Sequence, residues 1–304
     1  MIPRAAVSAV SSVVADGPAA GCRALDLRVW DGIDARLLPD RGLDVGAAWF
    51  GGVPLAWESV VGENAGRGDW LADFGGGLVT TCGLRNVGLP AEGHGQHGDF
   101  TFQRATVEAV ERPEDGVTVR GRIREAASLT YALEVERTWR TRRGEGLLEL
   151  ADVTRNLGRE PEPAPLLYHV NIGAPLWAAG SEVRLAAVES RPRDADAEGH
   201  DPFHCPGVVA GATERVWEHD VSEPRAVVVG AGLELELRWE GLPRLWQWMH
   251  PAPGIEVLGL EPANCSVLGR AHDRAEGRLP TLEPGEERVT RLAIRVRGSR
   301  TWTA

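Results

Sequence analysis

The chain lacks the features that mark membrane-spanning and nucleic-acid-binding proteins. No apolar run in its 304 residues approaches the roughly 18 residues that a membrane-spanning helix needs. Lysine and arginine total 33 against 44 aspartates and glutamates, a net charge of -11, and no basic cluster could follow a phosphate backbone. The sequence therefore predicts a protein whose partner is neither a membrane nor a nucleic acid.

Cysteine is scarce as well. The four cysteines, Cys22, Cys82, Cys205 and Cys265, lie far apart and form no Cys-x-x-Cys pair. Zinc knuckles and dense disulfide frameworks need closely spaced cysteines, so neither is expected. Reduced thiols are typical of the cytoplasm, which is the predicted location.

Helical periodicity is missing too, whereas apolar and polar residues alternate in many places. No segment has the pattern of a helix of three turns. Alternating segments, typical of half-buried strands, occur at 25–30, 117–120, 133–139, 147–153, 233–239 and 292–296. Turn sequences such as Asp31-Gly32 and Pro284-Gly285 separate them. This pattern predicts an all-β fold.

The 37 glycines and 20 prolines are spread along the whole chain and mark no linker. Such a distribution favours many short turns within one domain over residues 1–304. The segment 189–207, rich in proline, aspartate and histidine, is predicted to be a long surface loop. We expect two large, mostly antiparallel sheets packed face to face, with one open face left for a ligand.

Tryptophan is abundant where other aromatic residues are few. The chain has 11 tryptophans, two tyrosines and five phenylalanines. An indole ring offers a flat apolar platform with one polar edge, and sugars present apolar faces between their hydroxyls. Alternation puts Trp246, Trp248 and His250 on one strand face, which is either core or a stacking surface beside a site.

Three distant segments carry ionisable side chains in constrained settings. His97 lies in a glycine-rich loop, where it is either a donor to a ligand or a solvated histidine. His169 shares a strand face with Asn171, and the two form either a polar notch for a ligand or a satisfied structural pair. Glu261 follows an apolar strand end, where it is either a partly desolvated base or a surface glutamate. Two histidines and one carboxylate make a candidate acid/base set.

The glycine-rich segment 75–88 ends in further polar residues, Arg85 and Asn86. No βαβ pattern surrounds it, which disfavours a phosphate-binding loop. Positioning of a polar ligand by Arg85 and Asn86 is preferred over a plain turn. His94 and His97 have a spacing that suits a metal on a helix, but the glycines around them predict a loop, so no metal site is expected.

Several motifs spread over nearly the whole chain point to one family. They are Pro39–Asp44, Gly76–Leu84, His97-Gly98, Asn156–Gly158, Leu167–Asn171, Glu261–Cys265 and Leu282–Glu286. Together they resemble the aldose 1-epimerase, or galactose mutarotase-like, superfamily, and within it the branch called DUF4432. Each motif alone is weak, whereas the combination is specific for this branch.

The resemblance implies a β-supersandwich and an isomerase that interconverts the anomers of a free aldose in an open concave face. It also implies that His97 is a positioning donor, His169 the acid and Glu261 the base. The residues expected to hold the sugar are Arg41, Asp44, Arg85, Asn86, Asn171, Trp246, Trp248 and Asn264. Such chemistry needs no cofactor, and its partner is a small-molecule sugar bound by a monomer or homodimer.

The sequence departs from the better-known mutarotases after the second histidine, where Val170 stands in place of an aromatic residue. The identity of the sugar therefore stays open, and Arg41 and Asp44 suggest a charged or modified one. Two other functions stay open as well. One is a non-catalytic carbohydrate-binding protein of the same fold, and the other is a lyase or isomerase with a metal on His94, His97 and His169.

Overall fold

The computed structural model describes residues 6–298, in which nearly all regular structure is strand. The strands are β1 (Val7–Val13), β2 (Arg23–Val29), β3 (Ile33–Leu38), β4 (Asp44–Phe50), β5 (Val53–Pro54), β6 (Val79–Gly83), β7 (Thr106–Glu111), β8 (Gly116–Ala127), β9 (Tyr131–Arg142), β10 (Leu147–Asn156), β11 (Glu162–Pro163), β12 (Leu166–Ile172), β13 (Glu182–Pro192), β14 (Arg215–Gly230), β15 (Leu233–Glu240), β16 (Arg244–His250), β17 (Val257–Ala263), β18 (Thr281–Leu282) and β19 (Glu287–Gly298). Two short helices, α1 (Trp70–Asp73) and α2 (Arg270–Ala275), and a 3-10 turn at Phe100–Phe102 complete the described elements.

The all-β prediction is confirmed. Each alternating segment coincides with a strand, apart from Trp30, which lies just beyond the end of β2. The predicted loop at 189–207 is correct only in part, because β13 continues to Pro192 and the connection to β14 covers residues 193–214. The single domain over residues 1–304 stays a prediction.

Two antiparallel sheets share the long strand β14. The first runs in the order β1, β2, β3, β4, β6, β12, β17, β16, and then the first part of β14, Arg215–His219. The second runs in the order β7, β8, β9, β10, β19, β15, and then the last part of β14, Arg225–Gly230. A strand long enough to serve both sheets therefore joins them into one continuous hydrogen-bonded network.

The inner faces of the two sheets meet in one large hydrophobic cluster. Leu27 and Val45 come to it from the first sheet, and Trp139, Leu150 and Ile294 come from the second. All five side chains are almost completely buried. Burial of apolar surface on this scale is the main term that stabilises a folded domain.

A buried ion network crosses the interface between the sheets. Arg137 of β9 has no exposed side-chain surface, and it bonds Asp44 of β4 at 2.6 Å and Asp152 of β10 at 2.7 Å. Tyr168 of β12 donates its hydroxyl to Asp152 at 2.7 Å. A buried guanidinium without such partners would cost several kcal/mol, so these residues stabilise the fold only as a set.

Candidate active site

The first sheet directs three of the predicted site residues to its outer face. Tyr168 and Val170 of β12 point into the core, so His169 points the opposite way. The register that pairs Val170 with Leu260 brings Glu261 of β17 next to His169. Strand β16 follows β17 in the sheet and adds Trp248 to the same face.

His169 and Glu261 form a buried pair. His169 Nε2 lies 3.0 Å from Glu261 Oε1, and the two side chains are 6% and 4% exposed. Burial lowers the pKa of His169 to about 4 and raises the pKa of Glu261 to about 8, because each charged form loses its hydration. Between these two values the pair holds one proton.

His97 approaches the pair from the loop before β7. Its backbone is left-handed, with φ of 56°, and is held by hydrogen bonds from His97 N to Gly88 O and from Gly83 N to His97 O, both 2.9 Å long. Burial, with His169 nearby, lowers the pKa of His97 to about 3, so its ring is neutral. The Gly88 N–H points to His97 Nδ1 at 3.4 Å, which favours the tautomer with its proton on Nε2. That nitrogen is a hydrogen-bond donor.

Aromatic rings surround the two histidines. The ring centroid of Trp248 lies 5.3 Å from that of His169, and that of Phe74 lies at 5.4 Å. Trp70 stacks on Phe74 at 4.7 Å and lies 4.6 Å from His97. Such a wall gives a ligand flat apolar surface next to the polar pair.

Two charged residues, Arg193 and Glu214, also line this site. They lie at the two ends of the connection between β13 and β14. Glu214 accepts a hydrogen bond from Trp248 Nε1 at 3.0 Å through Oε2, and from Arg193 Nη2 at 2.9 Å through Oε1. Arg193 also donates from Nε to Asp194 at 2.6 Å. The ion pair is partly exposed, whereas His169 and Glu261 are buried.

These residues line a cleft of about 700 Å³, including the part open to solvent, which we call the His169–Glu261 cleft. Its lining residues are Trp70, Leu71, Phe74, Gly88, Leu89, Gln96, His97, His169, Arg193, Glu214, Val216, Trp248, Glu261 and Val267. A concave cleft with apolar walls and a few convergent polar groups is typical of a small-molecule site. Four predicted residues, His97, His169, Glu261 and Trp248, are brought together here.

Two predicted residues, Arg41 and Asp44, lie outside this cleft. Arg41 donates to Asn64 Oδ1 at 2.9 Å and to the backbone oxygen of Asp73 at 3.1 Å. Asp44 accepts from Arg137 in the core. Both line a separate cavity of about 490 Å³, including the part open to solvent, and most of their hydrogen-bonding capacity is used within the protein.

Three more predicted residues also lie outside the cleft. Arg85 stacks on Tyr131 at 3.8 Å and forms an ion pair with Glu162. Asn264 bonds backbone groups, with Oδ1 accepting from Leu166 N at 2.7 Å. Trp246 is 4% exposed and packs in the smaller hydrophobic cluster, although it shares its strand face with Trp248 as alternation predicts.

Asn86 and Asn171 position backbone segments that carry residues of the site. Asn86 donates to Gly95 O at 2.8 Å, which braces the loop that carries His97. Asn171 donates to Gly77 O at 2.8 Å and to His169 O at 3.1 Å. Both amides are completely buried, so their hydrogen bonds position the neighbouring backbone.

The lining residues that were not predicted from the sequence include Trp70, Phe74, Arg193 and Glu214. A signal existed for the first two, because Asp69 caps α1 by accepting from Ala72 N at 3.1 Å, and an aspartate is a common residue at a helix start. No local signal distinguishes Arg193 and Glu214 from the other charged residues of the connection before β14.

No helix within residues 6–298 is long and apolar enough to cross a membrane. In the same residues, no three His, Cys, Asp or Glu side chains are grouped so that they could hold a metal ion. All four cysteines are free thiols. The cytoplasmic location and the monomeric or homodimeric state stay predictions.

Solved structures share this fold over nearly the whole chain. One is a protein of Klebsiella pneumoniae provisionally assigned as an aldose 1-epimerase, with a TM-score of 0.89 and 22% identity over 96% of this chain and 84% of that one. A galactose mutarotase-like protein of Clostridium acetobutylicum has a TM-score of 0.67 and 14% identity, covering 96% and 99% of the two chains. The architecture is therefore the galactose mutarotase-like β-supersandwich.

Within that class, residues 19–296 match the family model described as "Domain of unknown function (DUF4432)". The chain belongs to this family, as the motifs predicted. None of the curated proteins compared with the chain matches it.

Proposed function

We propose that the protein interconverts the α and β anomers of a free aldose by acid/base catalysis in the His169–Glu261 cleft. The observation that supports this most directly is the 3.0 Å contact between His169 Nε2 and Glu261 Oε1. The anomeric oxygen O1 and the ring oxygen are both bonded to C1. His169 Nε2 and Glu261 Oε1 are therefore close enough together for one to contact the ring oxygen while the other contacts O1.

The single proton of the pair accounts for the chemistry. Burial favours the uncharged form of the pair, with the proton on Glu261, in the free protein. When a sugar donates O1–H to Glu261, its carboxylate form is stabilised, and the proton crosses the 3.0 Å contact to His169. His169 is then the acid and Glu261 the base.

Two proton transfers open the ring. Glu261 removes the proton from O1 while His169 protonates the ring oxygen, and the bond from C1 to the ring oxygen breaks to leave the open-chain aldehyde. After rotation about the C1–C2 bond, closure from the other face returns both protons. The pair ends each cycle with its one proton, so the reaction consumes no cofactor. Each transfer contributes about 10²- to 10⁴-fold in rate.

The remaining lining residues would hold the sugar. Neutral His97 supplies a donor from Nε2, which suits a sugar oxygen near C1. Trp248 and Phe74 offer ring faces to the apolar face of the sugar.

Saturation-transfer NMR on a panel of free aldoses tests the proposal. The wild-type protein is expected to accelerate α/β exchange of at least one sugar, and Glu261→Gln to reduce that rate by about 10²- to 10⁴-fold. Glu240→Gln is a matched control, since Glu240 is 68% exposed on β15 and outside the cleft, and it should keep the wild-type rate. An unchanged rate in Glu261→Gln would remove this residue as the base.

Other outcomes separate the alternatives. Tight sugar binding without exchange of any aldose favours a non-catalytic carbohydrate-binding protein. A stoichiometric metal in elemental analysis, together with loss of exchange on chelation, favours the metal-dependent lyase or isomerase.

A further inference from the structure

Around the Arg193–Glu214 ion pair in the wall of the His169–Glu261 cleft, carboxylates outnumber basic side chains. Among the described residues that line it, Arg193 is the only lysine or arginine. It is hydrogen-bonded to two carboxylates, Asp194 through Nε and Glu214 through Nη2. His97 and His169 are uncharged at neutral pH because burial lowers the pKa of both rings. Arg193 and Glu214 line the cleft, and Asp194 bonds Arg193 from outside the lining, so this group of one cation and two anions has a net charge of about -1.

Glu214 is held in place from both sides. Arg193 bonds one of its oxygens and the indole N–H of Trp248 bonds the other. Its charge acts on the proposed catalytic pair: after burial, Glu214 raises the pKa of Glu261 further, and Arg193 opposes this by a smaller effect. The carboxylate is therefore a fixed negative charge beside the place proposed for the sugar.

We propose that this wall selects against sugars that carry an anionic group, and that Glu214 is the residue that sets the preference. The inference rests on the proposed function, since it concerns the specificity of the same cleft. A phosphate or carboxylate on the sugar could bond Arg193 only beside Asp194 and Glu214, or by displacing one of them. Either choice leaves negative charges close together in a partly dehydrated site.

The free hydrogen-bonding capacity of Arg193 fits a neutral hydroxyl instead. Within residues 6–298, Arg193 Nη1 makes no hydrogen bond to protein, so it can donate to a sugar oxygen without losing either carboxylate. Arg41, the cation that the sequence suggested for a charged sugar, bonds Asn64 in a different cavity and adds no positive charge to this wall.

The test compares three matched sugars: glucose, glucose 6-phosphate and glucosamine. Isothermal titration calorimetry measures binding of each, and saturation-transfer NMR measures exchange of each. We expect wild-type protein to prefer glucose and glucosamine to glucose 6-phosphate by at least about tenfold, the effect of one unit charge several ångströms away in a partly hydrated site.

Glu214→Gln keeps the size and a hydrogen-bonding group but removes the charge. We expect it to shrink the preference against glucose 6-phosphate by about tenfold. Glu240→Gln removes one negative charge outside the cleft and should leave the ratio unchanged. Ratios, unlike absolute rates, are insensitive to a small loss of folded protein.

Three results would overturn the inference. The first is a wild-type protein that binds glucose 6-phosphate as well as glucose, or better. The second is a ratio that Glu214→Gln leaves unchanged, or that Glu240→Gln shifts equally. The third is binding of none of the three sugars. Selective binding without exchange supports the inference and refutes only the proposed catalysis.

Discussion

A methyl group placed at Gly259 tests the geometry of the proposed catalytic pair, His169 and Glu261. Gly259 lies on β17, opposite Trp248 on β16. A Cβ atom there would lie 2.9 Å from His169 Cε1, 3.0 Å from Glu261 Oε1 and 3.3 Å from Trp248 Cβ. Ordinary contacts of such atoms begin near 3.4 Å, so both members of the pair must move by several tenths of an ångström.

The expected effect of Gly259→Ala on activity is large. A misplacement of about 1 Å can cost about 10²-fold in rate, so a shift of several tenths predicts a loss of about 10- to 100-fold in kcat/KM for α/β exchange. Overpacking also predicts a loss of about 1–3 kcal/mol in the free energy of unfolding. Saturation-transfer NMR and urea denaturation measure the two quantities.

Gly46→Ala is the matched control. Gly46 is a buried glycine of β4, and a Cβ atom there would lie 3.2 Å from Leu38 Cδ1, but no cleft residue is near it. It should lose no more stability than Gly259→Ala, because the contact is with the flexible end of Leu38, and it should keep the wild-type exchange rate. Full activity in folded Gly259→Ala, or an equal loss in Gly46→Ala, refutes the reasoning.

Three further predictions concern pH, the aromatic wall and the core. The exchange rate should have a bell-shaped dependence on pH. It should fall below about pH 4, where the His169–Glu261 pair gains a second proton, and above about pH 8, where the pair loses its only proton. A rate that stays constant from about pH 6 to about pH 10 contradicts this. Trp248→Phe, which loses the hydrogen bond to Glu214, should raise KM about 3- to 10-fold with kcat nearly unchanged, whereas a fall in kcat alone argues against a binding role. Tyr168→Phe should lower the free energy of unfolding in urea by about 1–3 kcal/mol without altering exchange, and an unchanged stability would show that its buried hydroxyl contributes nothing.

Local pattern was enough to predict several of the strands and the faces of His169, Trp246 and Trp248. A side chain at every second position of a strand faces the same way, so alternation alone puts His169 opposite Tyr168 and puts Trp248 on the face of Trp246. The burial of Glu261 and its contact with His169 could not be predicted from its own strand. Both arise only when β12 and β17 pair.

The residues proposed to hold the sugar were harder to predict, because the type of a polar residue does not show which group it will bond. Asp44 is bonded to Arg137, which is 93 positions away, and Arg41 is bonded to Asn64 and Asp73. Such pairs form across strands that are distant in sequence. Residue type can indicate that a group needs a hydrogen bond, but only the fold determines whether protein or ligand supplies it.

A crystal structure of the protein with a bound aldose tests the central claim most directly. The expected complex has O1 about 2.6–3.2 Å from the Glu261 carboxylate and the ring oxygen at the same distance from His169 Nε2. A sugar bound with C1 turned away from this pair, or bound in the cavity beside Arg41 and Asp44, would contradict the proposed acid/base roles.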